Sequence, residues 1–371
     1  MLRTLLATLA LTAGAAFGQG VTDSEIILGQ SAALSGPAQQ LGKDMRDGAL
    51  LYFEQVNLHG GVHGRRIVLK TLDDGYDSAR AAENTRTLIN DERVFALFGY
   101  VGTPTSAASL PIFTQAKVPF VGPFTGAELL RNPLNPYVFN VRASYFDETE
   151  AIVHHLTAMS IDRIAIFYQN DAYGQAGLAG VERALAKRNL ALVARGTVER
   201  NTIKVGKAVE DIGKSEPQAV IMISAYTSCA AFIRQMKQAR HNPTFWNVSF
   251  VGSKALAGEL GEEGRGVEIS QVMPFPWDSS ISVVKEYRHL AEESKTEVGF
   301  GTLEGYIAAK VMVEGLRRAG RKLDRESFVK AMESMGDYDT GGFKVSYGPN
   351  TRAGSKFVDL TIISRDQKFV R

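Results

Sequence analysis

Two rhythms of apolar residues take turns along the first third of the chain. Short apolar-rich runs at 26–30, 66–72, 94–98 and 118–121 read as strands. Between them, 41–56 and 79–89 carry apolar residues at helical spacing, with Met45, Ala49, Tyr52, Phe53 and Val56 along the first. Pro104 opens a further helix. The pattern then restarts: helices over 148–159, 173–188, 203–212 and 229–239 alternate with strands over 163–168, 190–194, 219–223 and 250–252. Beyond Val267 the spacing predicts helices over 282–293, 303–318 and 325–335, and strands over 342–346 and 357–363. Strands alternating with helices predict parallel sheets covered on both faces, and the restart predicts two lobes of one α/β build. No low-complexity stretch or short tandem repeat interrupts them.

A chain of 371 residues exceeds the size at which one hydrophobic core stops growing, which agrees with two domains. At 44% apolar and 22% charged, the composition is that of an ordinary globular protein. The net charge of +2 is scattered and makes no electrostatic case for nucleic acid. Residues 1–18 read as a secretory signal peptide: Arg3, then an apolar small-residue run, then Ala16-Phe17-Gly18 as a cleavage site before Gln19. No cysteine lies near that site, so a lipid-anchored N-terminus is not expected. No other stretch is apolar for long enough to span a membrane. The single cysteine, Cys229, cannot form a disulfide within the chain, and "CAAFI" continues a helical apolar face, which makes it a core residue before a catalytic thiol.

In open parallel sheets ligands gather beyond the carboxyl ends of strands. In the first half the loops there are rich in glycine and hydroxyls: 31–37, 99–106 and 122–126. Gly99 and Gly102 allow close backbone approach. Thr103 stands where an N-cap belongs and Pro104 suits the first helical position, so a small anion is welcome at that helix N-terminus. Thr103 and Thr105 are also readable as caps of that helix alone, but Thr125 with Gly126 repeats the arrangement in the neighbouring loop, which favours a shared anion site. The second-half loops offer Tyr173, Tyr226 and Lys254 instead: flat apolar walls with one hydroxyl, and a point charge.

The stretches "LSGPAQQLG", "GGVHGRRIVLKTLDDGYDSARA", "PFTGAELLRN", "IAIFYQNDAYGQAGLAGVERALA", "CAAFIRQMKQA" and "EGYIAAKVMVEGLRRAG" together resemble the leucine/isoleucine/valine-binding family of periplasmic solute-binding proteins, in order and over the whole mature chain. The resemblance implies two Rossmann-like lobes of the type I periplasmic binding fold, joined by three crossovers, with 19–141 plus 274–340 in the first and 142–273 plus 341–371 in the second. It implies that the lobes close on a ligand in the cleft and that a periplasmic receptor of this kind delivers to an ABC permease in the inner membrane. Thr103 and Thr125, with the backbone at Phe124 and the loop at Gly102, would contact a ligand carboxylate. Leu41, Tyr173, Tyr226 and Phe300 would wall the side chain. One departure stands out: where family members that bind α-amino acids place an acidic residue to pair the ammonium, this chain has Lys254 or its immediate neighbour. Lys254 would pair a second carboxylate or a polar oxygen, and Glu304 and Asp171 are alternative acceptors for an ammonium.

Motifs for catalysis are missing. There is no phosphate loop and no nucleophile elbow, and "GFGTLEG" misses the dinucleotide spacing. His59 and His63 flank glycines in a turn, a poor metal pair. No cofactor and no metal is expected, and the chain is expected to be monomeric. A transport receptor, an exported sensor for a signalling partner and an exported α/β hydrolase remain open. The first two need only a cleft and its closure; the third needs turnover.

Overall fold

The computed structural model describes residues 19–371, so the expected signal peptide lies outside the described residues. The elements in chain order are β1 (Glu25–Ala32), α1 (Gln39–Leu58), β2 (Arg66–Asp73), α2 (Ser78–Asn90), β3 (Ala96–Phe98), α3 (Thr103–Gln115), β4 (Phe120–Val121), β5 (Val138–Phe139), α4 (Tyr145–Ala158), β6 (Ile164–Gln169), α5 (Ala172–Ala186), β7 (Ala194–Val198), α6 (Gly206–Gly213), β8 (Ala219–Ile223), α7 (Tyr226–Gln238), β9 (Thr244–Asn247), α8 (Ser253–Leu260) and β10 (Glu268–Gln271). There follow α9 (Ser282–Ser294), α10 (Phe300–Ala319), α11 (Arg325–Glu333), β11 (Gly336–Asp339), β12 (Lys344–Gly348), β13 (Thr351–Gly354), β14 (Asp359–Ile363) and β15 (Phe369–Val370).

The alternation builds two sheets, as expected. The first runs β2-β1-β3-β4-β5 and is parallel throughout. The second runs β15-β14-β10-β9-β8-β6-β7, parallel from β7 to β10 and finished by antiparallel β14 and β15. Strands β6 and β8 are buried along their whole length, the signature of a parallel strand covered on both faces. Helices α10 and α1 meet backbone to backbone: a Cβ added at Gly48 would lie 1.8 Å from the Thr302 carbonyl oxygen, so only glycine admits the approach. The Arg325 guanidinium on α11 donates to the carbonyls of Val94 and Phe95 at 2.7 and 2.9 Å.

Three expected strands fall elsewhere. The second-sheet edge strand is 194–198, where exposed and buried residues alternate, and not the apolar run at 190–194. The strand expected at 250–252 is β9, because Phe250 belongs to a 3₁₀ turn, Ser249–Val251, directed at the cleft. The strand expected at 342–346 is β12, and it joins β11 and β13 in a small antiparallel sheet. That sheet covers the end of the first lobe: Asn140 N donates to the Arg352 carbonyl at 3.0 Å and Ser355 N to the Val141 carbonyl at 2.9 Å. β5 would otherwise be an open edge. At 355–358 the chain leaves β13 for β14 and so crosses from this small sheet to the second large one. With β5 to α4 and β10 to α9, the chain passes between the sheets three times. No helix among the described residues is long and apolar enough to cross a membrane.

Candidate functional site

The loops that follow β3 and β4 lie side by side, as their strands do. Gly102 N donates to the Phe124 carbonyl at 3.2 Å and Phe124 N to the Tyr100 carbonyl at 2.8 Å. Both backbone groups of Phe124 are thus bonded to the neighbouring loop. The N-cap of α3 is Gly102, not Thr103; its φ of 101° favours glycine, and a Cβ there would lie 2.3 Å from the Tyr76 ring. Thr103 and Pro104 are the first two helical residues. No side chain caps this terminus, so the N–H groups of Thr103 and Thr105 carry the partial positive charge of the helix end. The Thr105 hydroxyl turns back onto the Gly102 carbonyl at 3.0 Å.

The Thr103 and Thr125 hydroxyls are 2.6 Å apart and fully buried. Thr125 Oγ1 donates to the Tyr145 hydroxyl at 3.3 Å. The Tyr145 ring packs on Tyr173 with centroids 5.4 Å apart, and Tyr173 on Phe250 at 4.8 Å. Phe250 also meets Phe124 and Tyr76, at 5.5 and 6.1 Å. The Tyr173 hydroxyl is buried with no hydrogen-bond partner among the described residues. Burial pushes the Tyr145 phenol up to about 12 and the Tyr173 phenol well above its usual range, so both stay protonated donors.

The other expected residues gather nearer the mouth. Leu41, Phe300, Lys254 and Phe124 border a cavity of about 20 Å³ together with Asp44, Gln271 and Glu304. Outside it, Gln40, Asp44, Tyr226, Lys254, Glu259 and Glu297 line a groove of about 540 Å³. Leu41 and Tyr226 converge on Gly252, where an added Cβ would sit 2.8 Å from Leu41 Cδ2 and 3.4 Å from Tyr226 Cδ1. Phe300 leans on Phe275, Trp277 and Phe369 at 5.7–6.0 Å. Lys254 does find a carboxylate, that of Glu297, and its Nζ is 3.5 Å from the Val298 carbonyl. Asp171 is taken up as the N-cap of α5, accepting from Tyr173 N at 2.9 Å. The Cys229 thiol is buried and donates to the Ser224 carbonyl at 3.4 Å, and His59 and His63 face separate carbonyls.

A buried ion cluster stands behind the cavity. Arg142, on the first crossover, lies 3.3 Å from Glu148 of α4 and 3.5 Å from Glu304 of α10, donates to Ser249 Oγ and stacks on Phe124. Glu148 also accepts from Ser249 N and Ser270 Oγ, both at 2.7 Å. Burial pushes the Glu304 carboxyl up to about 7 despite Arg142. A raised carboxyl favours the folded state when protonated, so its charge costs stability as pH rises from about 4.5 towards 7. Glu304→Gln is therefore expected to melt with the wild type near pH 5 and above it at pH 8, by about 3 kcal/mol at most. Calorimetric melts at the two pH values check this; a lower melt at pH 8 would show that Arg142 needs the charge.

Asp44, Tyr76, Tyr145, Phe250 and Arg142 were not among the residues expected from sequence. Arg142 carried a signal, a charge closing the run "YVFNVR". Asp44 carried a weaker one, lying one helical turn beyond Leu41.

The comparisons agree with this architecture. A family model described as periplasmic binding protein matches residues 25–364. A solved structure of a possible leucine/isoleucine/valine-binding protein from Rhodopirellula baltica SH 1 is 36% identical, with a TM-score of 0.88, over 94% of this chain and 97% of that one. A substrate-binding periplasmic protein from Ralstonia solanacearum is 31% identical, also at 0.88, over 93% and 99%. Leu/Ile/Val-binding protein homolog 7 of Brucella abortus is 25% identical over 92% of this chain and 88% of its own length. The resemblance carried by "LSGPAQQLG" and "DAYGQAGLAGV" is thereby borne out over residues 25–364, and the chain belongs to the periplasmic binding protein family.

Proposed function

We propose that this protein is the periplasmic receptor of an ABC importer and that it holds a small carboxylate-bearing ligand, a branched-chain amino acid or a related acid, between its lobes. The single observation that carries the ligand end is the group of protonated hydroxyls at the N-terminus of α3. Thr103 and Thr125 sit 2.6 Å apart, and the buried Tyr173 hydroxyl beside them has a hydrogen bond still to give. Such donors, with an uncapped helix end, suit a carboxylate. Walls of Leu41, Tyr226, Phe250 and Phe300 suit an apolar side chain.

Residues on this wall come from both lobes. A ligand touching both stabilises the closed arrangement by its extra contacts there, and the closed surface is what a permease would read. The ligand is released chemically unchanged. The names of the relatives support branched-chain amino acids as the first substrates to try.

A thermal-shift screen of refolded, ligand-stripped protein tests this reading. Branched and aromatic amino acids are run beside the same acids without the amino group and beside dicarboxylates. A ligand at a thousand times its dissociation constant adds about 4 kcal/mol to stability, so one class of acid is expected to raise the melt plainly. A flat response across every acid would remove the carboxylate reading.

A further inference from the structure

We propose that Arg200 and Asn201 clasp the loop around Tyr76 and so set how much of the protein stands closed, which scales affinity for every ligand by one factor. The inference rests on the reading above that a ligand is held between the lobes.

The clasp joins two loops at the carboxyl ends of edge strands, 74–77 after β2 of the first sheet and 199–205 after β7 of the second. Arg200 reaches across and donates to Ser78 Oγ at 2.7 Å. Asn201 Nδ2 donates to the Gly75 carbonyl at 3.1 Å. Asp171, the N-cap of α5, lies 3.8 Å from the Arg200 guanidinium and steadies it from its own lobe. Tyr76 is fully buried and has a φ of 60°, a conformation that strains a bulky residue and has to be held by its surroundings. Asp74 fixes its backbone, accepting from Tyr76 N at 2.8 Å. The second sheet fixes its side chain. The Arg200 guanidinium lies 5.8 Å from its ring centroid and the Phe250 ring 6.1 Å away, and Gln169 Nε2 donates to its hydroxyl at 3.4 Å. On its own side the ring covers Gly102, the N-cap of α3. Tyr76 therefore links the helix end assigned to the carboxylate with the opposite lobe.

Each of these contacts is made between protein groups alone. They favour the closed arrangement with any ligand or with none. A ligand that is held when the lobes close draws on the closed fraction, so its apparent affinity scales with that fraction. Weakening the clasp divides every affinity by the same number. The opposite lip contributes less. There Lys254 pairs with Glu297, and their side chains are 42% and 62% exposed, where an ion pair adds little. The Arg200 side chain is 25% exposed and joins a hydroxyl, a ring and a carboxylate at once.

Arg200→Met with Asn201→Gly tests the clasp. Methionine keeps an apolar stem beside Tyr76, and glycine keeps the left-handed backbone at 201, where φ is 59°. Refolded, ligand-stripped full chain is titrated with L-leucine, L-phenylalanine and 4-methyl-2-oxopentanoate, and small-angle X-ray scattering gives its radius of gyration with and without each. The variant is expected to bind each acid that the wild type binds more weakly by one common factor of about five or more, from the loss of two hydrogen bonds. Its radius without ligand is expected to exceed that of the wild type and to return to it at saturation. Lost packing alone would lower the melt and move neither reading. Tyr76→Phe, which removes the bond from Gln169, is expected to move both readings the same way by less, and it stands in if the double variant does not fold. An unchanged affinity, an unchanged radius, or a factor that differs between acids would overturn the clasp and leave the carboxylate reading intact. If none of the three acids binds the wild type, the proposed ligand falls, and the radius alone decides the clasp.

Discussion

Arg142→Met is expected to destabilise the protein by about 3–5 kcal/mol, the cost of removing one partner from a buried ion cluster. The guanidinium is fully buried between Glu148 and Glu304, so its loss strands two carboxylates without their cation. Glu148 keeps its bonds from Ser249 N and Ser270 Oγ. Glu304 keeps none of comparable strength, so most of the loss comes from that side. Arg142→Met with Glu304→Gln is accordingly expected to recover part of it, since one stranded charge is gone. Urea unfolding of wild type, both single variants and the double closes the cycle. Because Arg142 sits on a crossover and touches elements of both sheets, the single variant should also loosen the hinge. A single variant as stable as the wild type would mean that the cluster does not hold the lobes together.

The second large effect is on binding. Thr103→Val together with Thr125→Val is expected to weaken a carboxylate ligand by a hundredfold or more, since each hydrogen bond to a charged group contributes about 1.5–3 kcal/mol and 1.4 kcal/mol is tenfold. Replacing both hydroxyls with the same-shaped apolar group removes their 2.6 Å bond without orphaning either one, and the Tyr145 hydroxyl and Ala127 N each lose only a 3.3 Å contact with Thr125 Oγ1, so the loss of stability is expected to stay at about 1–2 kcal/mol. That separates a binding role from a structural one. Affinity within twofold of the wild type would take both residues out of the site.

Much of this architecture was legible because parallel strands buried on both faces declare themselves. "IAIFYQ" and "AVIMI" are apolar runs of strand length, and β6 and β8 are where the sequence places them. The misplacements share one cause: an apolar run is not always a strand. Leu192 and Val193 lie just before β7, whose own residues alternate as an edge strand's do. Phe250 is apolar because it faces Tyr76, Phe124 and Tyr173 in the cleft, not because it lies in a sheet. β13, which covers the edge of β5 through Arg352 and Asn140, was not read as a strand, because that edge is over two hundred residues away in the chain.

The site divides in the same way. Thr103 and Thr125 could be picked out since hydroxyls beside glycines after strands form a local pattern. Tyr145 and Arg142 could not, because each gains its meaning from a neighbour brought by another element: Tyr173 for Tyr145, Glu304 for Arg142. Lys254 was legible as a charge at the cleft, but its partner Glu297, over forty residues further along the chain, was not.

The central claim is that a carboxylate is held between the lobes. Isothermal titration of the refolded chain with the strongest acid from the screen and with its primary amide tests it most directly. The account predicts one site per chain, a negative heat-capacity change from the apolar surface buried on closure, and at least a hundredfold preference for the acid. An amide that binds as tightly as the acid would contradict it.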